Sequence, residues 1–176
     1  MTDLWSLTSA ALHGEPWRLW TAYLVHDGPS HFFPDSLALV PPLLLLHPKH
    51  RMRTIVWALA IGPLISLALL ATVPAIEYRG SSALAVTIWI LGPLLYFNRH
   101  PYSDRRVPAM PAYVLLGFCI AKLILETSHG VTPIVVAHGI GALAAIMTFI
   151  YLRAKITHTA IRRHAESRLA LSQRAC

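Results

Sequence analysis

The chain has 176 residues, of which 55% are hydrophobic and only 13% charged, with a mean hydropathy of +0.53. A soluble domain of this size carries about 25% charged residues, so the composition argues against an ordinary water-soluble globule. The net charge of +7 would suit nucleic acid, but the basic residues cluster between apolar runs, which points to membrane topology and away from nucleic acid.

The first residues, MTDLWSLTSAALHGEPW, lack the basic start and long apolar core of a cleavable signal peptide. Five apolar spans follow, at about 32–47, 54–73, 82–97, 107–126 and 132–152. The first and third are short and broken by proline: Pro34, Pro41 and Pro42 in one, Pro93 in the other. Residues 1–152 therefore read as one membrane domain and 153–176 as a basic helical tail lying on or near the membrane. The expected fold is an all-α polytopic helix bundle.

Loop charge sets the orientation. Lys49, Arg51 and Arg53 form one basic loop, and Arg99, Arg105 and Arg106 another. The tail adds Arg153, Lys155, Arg162, Arg163, Arg168 and Arg174. With alternating spans these twelve of the fifteen Lys and Arg residues share one side, which is then cytoplasmic. Lys122, the one basic residue well inside a span, has Glu126 four residues on and reads as an i,i+4 pair near the outer helix end. The same two residues would serve ion passage if the chain were a small transporter.

Polar residues inside a membrane are functional candidates. Ser82 begins the third span after Gly80 and Ser81. His138 lies about two turns into the fifth. Both spans run inward from the outer face, so the two residues share a shallow depth. A neighbouring histidine can take a serine's proton and activate it as a nucleophile. Gly139, Gly141, Ala142, Ala144 and Ala145 permit close helix packing. Gly80 permits an unusual backbone conformation before Ser82, and N–H groups at that helix start can face an oxyanion. From the residues alone, His138 also reads as an interhelical hydrogen-bonding residue and Ser82 as an N-cap. Cys119 and Cys176 suggest no disulfide or zinc site. The His47–His50 pair sits among basic residues unsuited to a cation, and His138 has no evident intramembrane partner for haem apart from His31. No metal is expected.

Four segments, in order, resemble a known family. WRLWTAYLVH (17–26) is similar to a Trp-Arg stretch ahead of the second helix of rhomboid intramembrane serine proteases. HFFPD (31–35) stands at their His-x-x-x-Asn motif. YRGSSA (78–83) resembles their Tyr-x-Gly-x-Ser-Gly motif, and AHGIG (137–141) their Ala-His-x-x-Gly motif. The small bacterial rhombosortase branch is the nearest in kind.

The resemblance implies a rhomboid-like bundle with Ser82 as nucleophile and His138 as general base. His31, Asp35, Gly80 and Ser81 would support the oxyanion, Ala83 and Gly141 would serve helix packing, and Trp17 and Arg18 would be structural. Asp35 departs from asparagine, and a carboxylate donates to an oxyanion only when protonated. Ala83 replaces a glycine. The family has six helices with one ahead of the Trp-Arg stretch, where only residues 1–16 stand here, so that helix is expected either to be missing or to lie upstream of this start.

Also implied are cleavage of C-terminal Gly-Gly tail anchors without any cofactor, and a monomer in the bacterial inner membrane among its lipids. The substrate would be a membrane-anchored protein with a C-terminal tail helix. The active site would open to the periplasmic side and the C-terminus would be cytoplasmic. The alternative is a catalytically inactive rhomboid-like adaptor or chaperone that binds membrane helices.

Overall fold

The computed structural model describes residues 4–45, 48–73, 76–99 and 110–174, and among these residues the chain is all-helical with no strand. A one-turn 3-10 helix, Ser9–Leu12, precedes α1 (Arg18–Thr21), α2 (Pro29–Ala38), α3 (Val40–Leu45), α4 (Pro48–Thr72), α5 (Ser82–Arg99), α6 (Met110–Ser128) and α7 (Pro133–Arg174). The expected loop residues His47, Arg105 and Arg106, the expected start of the fourth span at Val107, and Cys176 lie outside the described residues.

Helix α5 is the centre of the bundle. Ala83, Leu84, Ala85, Val86, Ile88, Ile90 and Leu91 are all buried, which is how a helix apolar on every side must sit. It packs on α7, α6, α4 and α3. Two points let backbones approach. A Cβ at Gly141 of α7 would collide with the Ala83 carbonyl oxygen of α5. A Cβ at Gly92 would lie 3.3 Å from the Pro42 ring. The fully buried Thr87 hydroxyl faces both the Ala83 and the Gly141 carbonyls at 2.9 Å, fixing the register of α5 against α7.

The segment ahead of α2 is tied to the rest rather than trailing from it. Leu7 and Tyr78 exchange backbone hydrogen bonds, at 2.9 and 3.0 Å. The buried Arg18 guanidinium donates to the Ser6 carbonyl at 3.0 Å and pairs with Glu15. Trp17 stays half exposed, donating a long 3.4 Å bond to the Leu4 carbonyl. The Tyr23 hydroxyl donates to the Gly62 carbonyl of α4 at 2.7 Å, Ser66 donates to the Leu19 carbonyl at 2.9 Å, and the two hydroxyls are 2.8 Å apart. Tyr23→Phe is expected to cost about 1–2 kcal/mol. A thermal midpoint in detergent should fall by roughly 2–4 °C per kcal/mol.

Two stretches, Thr54–Thr72 and Pro133–Thr159, are long and apolar enough to cross a membrane, and Ser82–Phe97 is a shorter apolar helix. The expected first span divides into α2 and α3 with a turn at Leu39, just before Pro41 and Pro42. Each proline lacks the N–H that would continue the ladder. Lys49, Arg51 and Arg53, expected in a loop, belong to the first turns of α4. The fifth expected span and the basic tail form one continuous helix. Between Gly141 and Arg174 no glycine or proline interrupts it, and its 42 residues extend about 60 Å at 1.5 Å per residue.

Candidate functional site

The chain turns into α5 at Gly80, whose φ of 110° is a conformation that L side chains rarely adopt. Space demands glycine there too. A Cβ would meet the Asp35 carboxylate and the His31 ring, each at 3.1 Å. The turn thus seats α2 directly over the start of α5, and Gly80 donates to the Ala22 carbonyl at 2.9 Å.

Ser82 is the first residue of α5. The N–H groups around it have side-chain acceptors. Ser81 donates to Asp35 Oδ2 at 3.1 Å, and Ala83 donates to the Tyr78 hydroxyl at 3.2 Å. These are groups that a helix start leaves without an intrahelical acceptor. The Ser82 hydroxyl lies 3.3 Å from the same Tyr78 oxygen. Burial raises the Tyr78 phenol above its ordinary range, while its hydrogen bonds with Ser82 and Ala83 act the other way. It therefore stays a phenol and retains a proton to share with Ser82.

His138 is buried in the second turn of α7, one helical turn before Gly141. Its Nδ1 is 2.7 Å from Glu126 Oε2 and 3.2 Å from Lys122 Nζ, both on α6. Lys122 also pairs with the other carboxylate oxygen of Glu126. His138 Nε2 is buried without a hydrogen-bond partner. Ser82 and His138 thus stand on helices that touch at Ala83 and Gly141, but no hydrogen bond joins them.

On α2, His31 and Asp35 lie one turn apart, with Nε2 3.6 Å from Oδ2. His26 comes within 3.4 Å of the same oxygen, yet both its ring nitrogens are buried without hydrogen-bond partners. Among the described residues no group of three or more His, Cys, Asp or Glu is arranged to hold a metal ion. A cavity of ≈ 110 Å³ opens beside Ser82, lined by Asp35, Trp89, Phe118, Cys119 and Lys122 among others. Its walls are mostly apolar side chains, suited to one apolar side chain of a bound segment.

The expected residues His31, Asp35, Gly80, Ser81 and Ser82 meet at the α2–α5 junction, and Ala83 meets Gly141. Three further participants have no part in the serine site expected from the sequence. Tyr78 stands in the motif YRGSSA without one. His26 figures there only as the end of the Trp-Arg stretch. Glu126 figures as the partner of Lys122, or with it in ion passage, although its expected place near the outer end of the fourth span, at the depth expected of His138, is a usable signal. No family model, curated protein or solved structure matches this chain.

Proposed function

We propose that the chain is a rhomboid-type intramembrane serine peptidase of the rhombosortase kind, acting on proteins held by a C-terminal tail anchor. The observation that carries this reading is His138. One ring nitrogen is fixed by a carboxylate, and the other is left buried and unpartnered, on the helix that packs against α5 through Gly141 and Ala83. A general base for a serine needs that arrangement.

The membrane setting is supported by the surface. Val56, Leu59 and Leu64 on α4, Val114, Phe118 and Ile124 on α6, and Leu143, Met147 and Ile150 on α7 are exposed. Apolar faces of this extent need lipid or protein cover. In the proposed topology α2 with α3, and then α4, α5, α6 and α7, make five passes. The basic connections and the tail lie on the cytoplasmic side, and Ser82 and His138 sit near the periplasmic face.

In the proposed reaction the Ser82 hydroxyl turns from Tyr78 toward α7. It gives its proton to His138 Nε2 as its oxygen attacks the scissile carbonyl. The oxyanion forms near the α5 start and His31. His138 then returns the proton to the leaving amine, and a water repeats the sequence to release the acyl group. The scissile stretch must leave helical form first, because a helix hides its carbonyls.

The test is a reporter ending in a Gly-Gly motif, an apolar helix and a basic end, co-expressed with the chain. Wild type should release it in truncated form and Ser82→Ala should not. Release by both would end the proposal.

One observation favours the inactive adaptor as a second reading. The Asp35 carboxylate already accepts the Ser81 N–H, and an ionised carboxylate opposes a nearby oxyanion. If the site is active, Asp35→Asn should raise the cleavage rate by about tenfold, since 1.4 kcal/mol less barrier corresponds to that factor. Cleavage by neither wild type nor Asp35→Asn would favour the adaptor.

A further inference from the structure

Glu126 and Lys122 are charged residues of α6 that take no proton in the proposed reaction. We infer that Glu126 is a positioning residue that fixes the proton of His138 on Nδ1 and so keeps Nε2 free as the base. The inference rests on the peptidase reading.

A carboxylate only accepts hydrogen bonds, so at 2.7 Å from Glu126 Oε2 the His138 Nδ1 must carry the hydrogen. The Lys122 ammonium only donates. It is 3.2 Å from Nδ1, which is then occupied by a proton, and its hydrogen goes instead to Glu126 Oε1. The lysine thus ties down the second carboxylate oxygen and neutralises the charge beside the ring. With Nδ1 protonated, Nε2 holds a lone pair, and it is the nitrogen without a partner. When Ser82 gives up its proton, the ring becomes an imidazolium held between the attacking oxygen and Glu126. Glu126 stays ionised throughout. The proton leaves again on the departing amine.

Glu126→Gln isolates this role because it keeps shape and volume. The Lys122 ammonium must still meet an acceptor, so it takes the amide oxygen. The amide nitrogen then faces His138 Nδ1 as a donor, and the ring proton is driven to Nε2, where it blocks base catalysis. Removing the lysine as well frees the amide to turn its oxygen toward Nδ1.

The experiment has two readouts on the full chain in detergent. The first is the nitrogen NMR of ¹⁵N-histidine-labelled protein, with the His138 signal assigned by its loss in His138→Ala. The expected result is Nδ1–H in wild type, Nε2–H in Glu126→Gln, and a return to Nδ1–H in Glu126→Gln with Lys122→Met. The second is cleavage of the tail reporter. The single variant should be slower by about 10²-fold or more, and the double variant should recover at least about tenfold of that loss.

A wild-type Nε2–H tautomer would overturn the inference, as would an unchanged tautomer in Glu126→Gln. So would a double variant no better than the single one, since a purely structural Glu126 predicts no rescue. A tautomer that switches as expected in a chain that cleaves no reporter would instead remove the peptidase reading while leaving the hydrogen-bond assignment in place.

Discussion

Replacing Ser82 or His138 by alanine is expected to lower reporter cleavage by roughly 10⁴-fold or more, and the double replacement should be no worse than either single one. The proposed reaction makes the two side chains one unit: without the base the hydroxyl is a weak nucleophile, and without the hydroxyl the base has nothing to activate. The fold should survive the serine change. The Ser82 hydroxyl makes one 3.3 Å contact to Tyr78, which keeps the Ala83 N–H as a second partner. Its loss should cost about 1 kcal/mol or less. His138→Ala removes a buried ring but leaves Glu126 paired with Lys122. Membrane insertion and thermal midpoint, measured beside cleavage, separate chemistry from folding. Losses that simply add in the double variant would mean that the two residues act independently.

Gly141→Ala should also lower activity, though by less, for a mechanical reason. The new Cβ would stand well under 3.0 Å from the Ala83 carbonyl oxygen, and that oxygen is backbone, so it cannot swing aside. The contact reaches ordinary distance only when α5 and α7 part by about 1 Å, judged against the usual 3.5–4.0 Å approach of non-bonded atoms. Overpacking of this kind costs about 1–3 kcal/mol. Parting the helices also stretches the Thr87 bond to the Gly141 carbonyl, which sets their register. Displacing a base from its nucleophile by that much can lower a rate by about 10²-fold. Gly139, two residues earlier on the same helix, supplies the control. Nothing lies within 4 Å of a Cβ there, so Gly139→Ala should leave cleavage unchanged and add up to about 1 kcal/mol of helix stability. Equal behaviour of the two variants would show that the Ala83–Gly141 contact does not govern the site.

Much of the frame is legible in the residues, because its causes are local. Ser82 opens its helix where the apolar run begins, and Gly80 takes the positive φ that its position before the turn calls for. Of the two glycines of AHGIG expected to permit close packing, Gly141 lets α7 meet α5 at Ala83, whereas Gly139 faces open space. Two differences also have local causes that apolar periodicity underweights. Pro41 and Pro42 follow a break between α2 and α3 at Leu39, within what reads as one span. Beyond Leu152 the chain turns polar but keeps to helix-forming residues such as Ala, Arg and Leu, so the polarity changes there while the helix does not.

What could not be read is the register between helices. The spacing of Lys122 and Glu126 announces a pair on one helix surface. It says nothing about which neighbouring helix that surface meets. Glu126 also holds His138 on α7 only because α5, α6 and α7 pack as they do. Asp35 is similar. Its departure from the expected asparagine is plain in the sequence, but its bond to the Ser81 N–H depends on α2 seating over Gly80.

The most direct measurement of the central claim is covalent labelling by an alkyl fluorophosphonate in detergent, followed by peptide mapping. A phosphonyl adduct on the Ser82 oxygen is expected in wild type, and it should be lost in His138→Ala. Absence of an adduct on Ser82 in folded wild-type protein, or its formation at an unchanged rate in His138→Ala, would contradict an activated serine at this site.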